Sequence, residues 1–303
     1  MKVGCIIQGD IRRGSNLVLD FIPKLFDYTV LSTWNEGQQI PRGNFEVLQN
    51  QIPKIPGYTN RNYQRFTVAR GLEAARSAGC DYVLKWRTDM LPTKISVHQL
   101  LDWAQFSSPA GVKSRIVIPA FRNLSVQPDV FSTIPDLFSF GHIDEMSKLW
   151  GDEGFNYTLD WNMSLADQKT LGPELLSSQS LADYYCAEAE LYAIYRSRLA
   201  AELGSELTHK MVAENYLRLI DHNKLGILWF GGQSGFRSIG QAWEHPWWTE
   251  KIWEKQNAPI HPFGYRTHGL IGRLKRKISK IKIRSEISRQ EKIWRDTFPG
   301  KII

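Results

Sequence analysis

The 303-residue sequence predicts an α/β fold with a doubly wound, mostly parallel sheet. Two observations carry the prediction. Short apolar or β-rich runs recur at residues 3–7, 28–33 and 81–86, each of strand length. Between them lie stretches with apolar residues at helical spacing, and this alternation is what a parallel sheet with helices on both faces requires.

The elements follow in order. Val3 to Ile7 is an apolar strand that meets the turn Gln8-Gly9-Asp10. Leu17, Val18, Phe21, Ile22 and Leu25 mark a helix between Ser15 and Phe26. Tyr28 to Thr33 is the second strand and Phe45 to Ile52 another short one. Thr59 or Asn60 is expected to cap a helix carrying Phe66, Ala69, Leu72 and Ala75, and Gly79 to end it. Asp81 to Trp86 is the next strand, apolar at Tyr82, Val83 and Leu84. An amphipathic helix is expected over Ile95 to Phe106, strands over Arg115 to Ala120 and Leu137 to Gly141, and a helix from Ile143 to Trp150. Residues 180–203 read as a long helix, and Leu225 to Phe230 as a late strand before Gly231-Gly232.

Composition bounds the partners. With 42% apolar and 23% charged residues, the chain is expected to bury a globular core. The net charge of +7 fits acidic partners: phosphorylated small molecules, anionic lipid or nucleic acid. Nucleic acid is the weakest of these, because no helix-turn-helix or zinc spacing occurs and the basic segment lacks interleaved aromatics. Cys5, Cys80 and Cys186 are odd in number and far apart, so neither a disulfide framework nor a zinc site is expected. Cys5 and Cys80 border apolar runs and should be buried.

No targeting segment is read at the start, and no run approaches the roughly 20 apolar residues of a membrane helix. The expected location is the cytoplasm, peripheral on the inner membrane. The expected division is a domain over residues 1–240 and a Trp-rich, basic extension over residues 241–303. In that extension Ile271, Leu274, Ile278 and Ile281 share a helical face surrounded by cations. Such a helix suits an anionic membrane surface, or a solvated position on its own domain.

The chemistry is expected at the strand ends, where ligands of open α/β sheets bind. The loop Lys85-Trp86-Arg87-Thr88-Asp89 places two cations and one anion there. Gln8, Gly9 and Asp10 follow the first strand, with Arg12 and Arg13 near enough to meet phosphate, and Gly9 permits close backbone approach. Ser32 and Thr33 end the second strand beside Trp34, which is either a base-stacking ring or a core aromatic. Arg61 and Arg65 share a helix face, with Asn62 about 100° away, and this polar row either addresses a diphosphate or is solvated.

Several blocks together resemble the WavE family of lipopolysaccharide-synthesis proteins. They are Leu31-Ser32-Thr33-Trp34, Asn62-Tyr63-Gln64-Arg65, Gly71-Leu72-Glu73-Ala74-Ala75 and Tyr82 through Asp89. Downstream, Asp136-Leu137-Phe138-Ser139-Phe140-Gly141, Asp144 and Leu149-Trp150 resemble a second block of that family. The resemblance implies a glycosyltransferase-A-type domain that transfers a sugar from a nucleotide-sugar donor to a lipopolysaccharide core or related glycan, with a glycolipid or oligosaccharide as acceptor.

In such transferases the strand-end loop often carries Asp-X-Asp, which holds a divalent cation (Mn or Mg) against the diphosphate as leaving-group charge builds up. Here the spacing is Arg87-Thr88-Asp89. Asp89 is left as the metal-binding carboxylate, or Lys85 and Arg87 supply the positive charge directly, or Arg87 and Asp89 form a structural ion pair. An inverting transferase also needs a base for the acceptor hydroxyl, whereas a retaining one does not. Asp136, Asp144, Glu188 and Glu190 are the candidates, Asp136 being the first choice, with His142 as a possible acceptor-site residue. For the family's second-half motif, the stretch around Glu188 and Glu190 competes with Gly172-Pro173-Glu174. The altered Asp-X-Asp also motivates a different class, a non-catalytic glycan- or membrane-surface scaffold that keeps the fold.

Overall fold

The computed structural model describes residues 1–12, 14–35, 37, 39–57, 60–105, 108, 111–119, 121–122, 134–155, 157, 187–221, 224–229 and 247–248. The expected basic helix and most of the Trp-rich segment therefore lie outside the described residues, as do Arg13, Thr59, Phe230 and the Gly172-Pro173-Glu174 stretch.

The first half winds as expected. Strand β1 (Val3–Gln8) leads into helix α1 (Ser15–Phe21), a short 3-10 turn, and β2 (Tyr28–Trp34). Strand β3 (Glu46–Asn50), helix α2 (Arg61–Ser77), β4 (Tyr82–Arg87), β5 (Met90–Pro92) and α3 (Val97–Gln105) follow. Then come β6 (Ile116–Pro119), β7 (Phe121–Arg122), β8 (Ser139–His142) and α4 (Ile143–Trp150). The remaining elements are α5 (Ala187–Leu203), α6 (His209–Asn215), β9 (Leu217–Ile220), β10 (Ile227–Trp229) and β11 (Trp247–Trp248).

Seven strands form the main sheet in the order β3-β2-β1-β4-β8-β6-β9. The β3-β2-β1-β4 half is parallel throughout, and β6 and β9 are parallel to each other. Strand β8 runs antiparallel to both of its neighbours, β4 and β6. The fold is thus the α/β sheet the sequence predicts, with one reversed strand, the fifth of seven, in its interior.

The pleat sorts side chains onto two faces. Cys5, Ile7, Leu84 and Trp86 pack with α1 and α3 on one side. Ile6 and Val83 pack with α2, α4, α5 and α6 on the other. The βα packing is close at one point: a Cβ added to Gly71 of α2 would overlap the Ile6 side chain of β1. Cys5 and Cys80 are buried free thiols, as expected.

Two arginines tie α4 into the helical layer. Arg198 of α5 donates through Nη1 to the carbonyls of Ser147, Lys148 and Gly151 at 3.2, 3.0 and 2.9 Å. Arg65 of α2 donates to Leu149 and Gly151 at 3.1 and 2.9 Å. Together they satisfy carbonyls at the C-terminal end of α4, where a helix dipole favours cations. Its N-terminal end is capped by His142, whose Nδ1 accepts from the Asp144 amide at 3.2 Å.

Candidate ligand-binding site

The strand order reverses direction at β1, which has β2 on one side and β4 on the other. That switch point, at the carboxyl ends of the strands, is where an open α/β sheet leaves a crevice. A cavity of about 390 Å³ sits there, lined by Gln8, Gly9, Asp10 and Arg12 after β1, Trp34 at the end of β2, and Arg87, Thr88 and Asp89 after β4. Ile52, Asn60, Tyr63 and Gln64 close it from the start of α2 and the segment before it.

The three strand ends are bound to one another. Gly9 donates to the Ser32 carbonyl at 3.3 Å, and the Thr88 amide donates to Gln8 at 3.2 Å. The Thr88 hydroxyl donates to the Asp10 carbonyl at 2.7 Å. Gly9 has φ of +120°, a conformation that side-chain-bearing residues rarely adopt, which lets the chain turn across the end of the sheet. The Gln8 side chain is fixed by the Thr67 hydroxyl at 3.1 Å.

The cavity has two chemically distinct ends. At one, Trp34 and Tyr63 meet edge to face with ring centroids 5.3 Å apart, beside Ile52. At the other, charges alternate. Arg87 donates through Nε to Asp89 Oδ1 at 3.0 Å, through Nη2 to Asp89 Oδ2 at 3.3 Å, and through Nη1 to Asp136 at 2.9 Å. Arg12 lies 3.0 Å from Asp10 and 3.6 Å from Asp89. Burial opposes the charge on Arg87, but Asp136 and then Asp89 more than offset it and raise its pKa, so this guanidinium is permanently charged.

The expectation of a metal at Asp89 does not fit this donor set. Asp89 is buried and both of its carboxylate oxygens already accept from Arg87. Among the described residues, no group of three or more His, Cys, Asp or Glu side chains is arranged to hold a metal ion. The guanidinium stands where the cation would have to be. This is the structural ion pair that the sequence reading left open, and it lines the cavity as well.

Other predicted residues lie elsewhere. Lys85 points into the face opposite Trp86, because strand neighbours alternate. It is fully buried, its amine 4.9 Å from the Trp150 ring centroid and donating to the Asp136 carbonyl. Burial lowers its pKa to about 7 against the raising effect of Asp136. It does not reach the cavity, so it cannot meet a diphosphate there.

The polar row of α2 also turns inward. Arg61 forms a buried pair with Glu190 of α5, at 2.6 and 2.8 Å to its two oxygens. Asn62 donates to the carbonyls of Ile55 and Tyr157 at 2.8 and 2.9 Å. Arg65 holds the end of α4, and both arginines lie over the Phe155 ring at 4.9 and 4.6 Å. The helix face expected to meet phosphate or water is covered by α4 and α5 instead. Ser32 and Thr33 are buried within the sheet, where Asn50 donates to the Ser32 hydroxyl and the Thr33 carbonyl, each at 2.9 Å.

Of the predicted bases, Asp136 is brought to the site by its pairing with Arg87. Glu188 is half-buried, and its carbonyl accepts from the Ile134 amide at 3.1 Å. Glu190 is closed off beneath Arg61. Asp144 pairs on the surface with Arg76 and Lys113, each at 2.7 Å, and His142 serves as a helix cap.

Tyr63, Asn60 and Thr88 line the cavity although the sequence gives them no site role, and Gln64, part of the polar row at the start of α2, lines it too. Asn60, one of the two residues expected to cap α2, does occupy its N-cap position, but not as a side-chain cap. It instead takes a left-handed conformation with φ of 61° and makes no side-chain cap bond. Asparagine tolerates that region better than most residues, which was the available signal.

No family model matches this chain, and no curated protein matches it. Among solved structures it is similar to the mannose-1-phosphate geranyltransferase of Thermus thermophilus, with 12% identity and a TM-score of 0.34. That likeness covers 64% of this chain and 68% of the other. It is too loose to carry a statement about chemistry. The fold stands on the strand order itself, and the site on the cavity at its switch point.

Proposed function

We propose that this protein is a glycosyltransferase that moves a sugar from a nucleotide-sugar donor to a lipopolysaccharide core or related surface glycan. The supporting observation is the two-ended cavity at the sheet's switch point. Its aromatic end, Trp34 and Tyr63, suits a nucleobase, and its charged end, centred on Arg12 and Arg87, suits the phosphates. The substrate class draws on the resemblance of the Leu31–Trp34, Tyr82–Asp89 and Asp136–Gly141 blocks to the WavE family.

In this reading the acceptor oxygen bonds to the anomeric carbon while the bond to the diphosphate oxygen breaks. The nucleoside diphosphate leaves toward the guanidinium-lined end. For an inverting outcome the acceptor proton passes to Asp136, the carboxylate that pairs with Arg87 at the charged end. The basic residues after 270 would hold the enzyme at the cytoplasmic face of an anionic membrane, which a vesicle-sedimentation assay with and without that segment tests.

The decisive assay measures hydrolysis and transfer with a panel of nucleotide sugars. Turnover of one donor that Asp89→Ala reduces supports the reading. No turnover of any donor, or an Asp89→Ala variant as active as wild type, overturns the assigned site. A second reading, a scaffold that binds nucleotide or glycan without turnover, is favoured by one observation: the only carboxylate of the Arg87-Thr88-Asp89 loop is bonded to a guanidinium rather than presented to a cation. Nucleotide binding without turnover would select it.

A further inference from the structure

The two guanidiniums at the charged end differ in how firmly they are held. Arg87 is gripped on both sides by carboxylates, and those carboxylates are largely covered, with side-chain exposures of 2% for Asp89 and 12% for Asp136. Removing one partner from such a buried group leaves an uncompensated charge, so the cluster resists rearrangement. Arg12 and Asp10 are instead exposed at 50% and 43%, joined by one 3.0 Å contact. An exposed ion pair of this kind adds little net stability, because both groups keep most of their water. The second contact of Arg12, to Asp89 at 3.6 Å, is longer than a hydrogen bond.

An anion entering the cavity therefore meets one cation that exchanges partners at low cost and another that stays in place. A divalent metal meets the opposite situation. To reach Asp89 it must displace Arg87, which would leave that buried guanidinium beside an incoming positive ion. The four charged side chains lining the cavity, Asp10, Arg12, Arg87 and Asp89, cancel one another. Once the Asp10 carboxylate turns out to solvent, Arg12 loses its closest acceptor and turns its donors to the ligand.

We propose that the cavity binds a diphosphate without a divalent cation, by partner exchange on Arg12. The ligand's oxygens replace the Asp10 carboxylate as acceptors for Arg12, and Arg87 stays locked between Asp89 and Asp136 as the fixed positive charge behind them. This rests on the reading of the cavity as a diphosphate site and deepens it: Asp10 is a built-in competitor for the ligand, and its carboxylate sets how tightly the ligand is held.

Titration calorimetry on the full chain tests the exchange. The probes are uridine, guanosine, cytidine and adenosine diphosphates and inorganic pyrophosphate, each in EDTA and again with magnesium. The expected result is one nucleotide that binds in EDTA with an affinity magnesium does not improve. Arg12→Gln then weakens it on the order of 10- to 100-fold, the loss of a charge-assisted contact. Asp10→Asn tightens it, because the competing charge is gone. Both positions lie on an exposed loop, and unchanged melting curves would establish that the variants fold.

Binding that requires magnesium, or an Asp10→Asn variant that binds more weakly, would overturn the proposal. So would the failure of every probe to bind in EDTA. Pyrophosphate binding in EDTA with the same dependence on Arg12 and Asp10, but no nucleotide binding, would leave the exchange standing and remove the nucleotide-sugar reading. Metal-free nucleotide binding without any transfer would keep the exchange and select the scaffold.

Discussion

Arg87 and Asp89 lie side by side at the end of β4, joined through two hydrogen bonds of 3.0 and 3.3 Å, with the third contact of Arg87 reaching Asp136. One residue separates them in sequence, and together they form the floor of the charged end of the cavity. Removing the acceptor should be costly twice. Asp89→Ala is expected to lower stability by about 3 kcal/mol, the penalty of leaving a covered guanidinium short of a partner. It should also abolish measurable ligand binding. Urea unfolding and calorimetry on the same preparation check the two effects, and a stability loss within error of zero would contradict the burial argument.

Glu190, a candidate base by sequence, lies closed beneath Arg61. Glu190→Gln should therefore destabilise the fold by about 3–5 kcal/mol through the orphaned Arg61, while ligand affinity stays that of wild type. Loss of ligand affinity with unchanged stability would return Glu190 to the site.

Gly71 allows α2 to seat directly on β1. Alanine normally favours a helix by about 1 kcal/mol over glycine. Here the added methyl collides with Ile6, and overpacking of this kind costs about 1–3 kcal/mol. Gly71→Ala should be net destabilising in the wild-type background and stabilising, or neutral, once Ile6→Ala has made room. A double-mutant cycle of unfolding free energies reads the coupling.

Lys85 gives the fold a pH dependence. In the native chain burial lowers its pKa to about 7, against an ordinary value of 10.5. Between those values the unfolded chain binds the extra proton, so unfolding free energy rises with pH across the window. The full contribution is present only above the unfolded value, and it is lost as pH falls through about 7. Buried Cys5 has a raised pKa and acts in the opposite sense at alkaline pH, so the comparison is best confined to mildly basic solution. Lys85→Met should flatten the rise between neutral and mildly basic pH, measured by urea unfolding at matched ionic strength. An unchanged slope would remove Lys85 as its source.

Three of the four strands of the parallel half were readable because they carry apolar or β-rich runs with a clear boundary, at Val3–Ile7, Tyr28–Thr33 and Asp81–Trp86. The reversal of β8 was not readable. Ser139–His142 looks the same in either direction, and only its neighbours β4 and β6 decide which way it runs. The loops after β1 and β4 were found because topology alone puts strand ends at a binding crevice.

The polar residues that the fold places away from the cavity share a physical reason. Arg61, Asn62, Arg65 and Lys85 are polar, and polarity near a strand end suggested a ligand. The partners of Arg61, Arg65 and Lys85, which are Glu190, the end of α4 and the Asp136 carbonyl, lie 51 to 129 residues away in sequence, and Asn62 bridges the nearby Ile55 carbonyl to that of Tyr157, 95 residues on. A polar residue buried against a distant partner has no local signature that separates it from one facing a substrate. The strand pleat was the single cue available for Lys85, since it must face away from its neighbour Trp86.

The arginine clamps on α4 bear on how the chain tolerates interruption. Gly151 accepts from Arg198 on one side and Arg65 on the other, and Tyr157 is held through its carbonyl by Asn62. The outgoing chain is therefore fastened before residue 158, and the returning chain is fastened from Ala187 by the packing of α5 and its buried Arg61–Glu190 pair. A cut between those two anchorages would leave both new ends attached to the same body. The described residues on either side thus carry complementary halves of one interface.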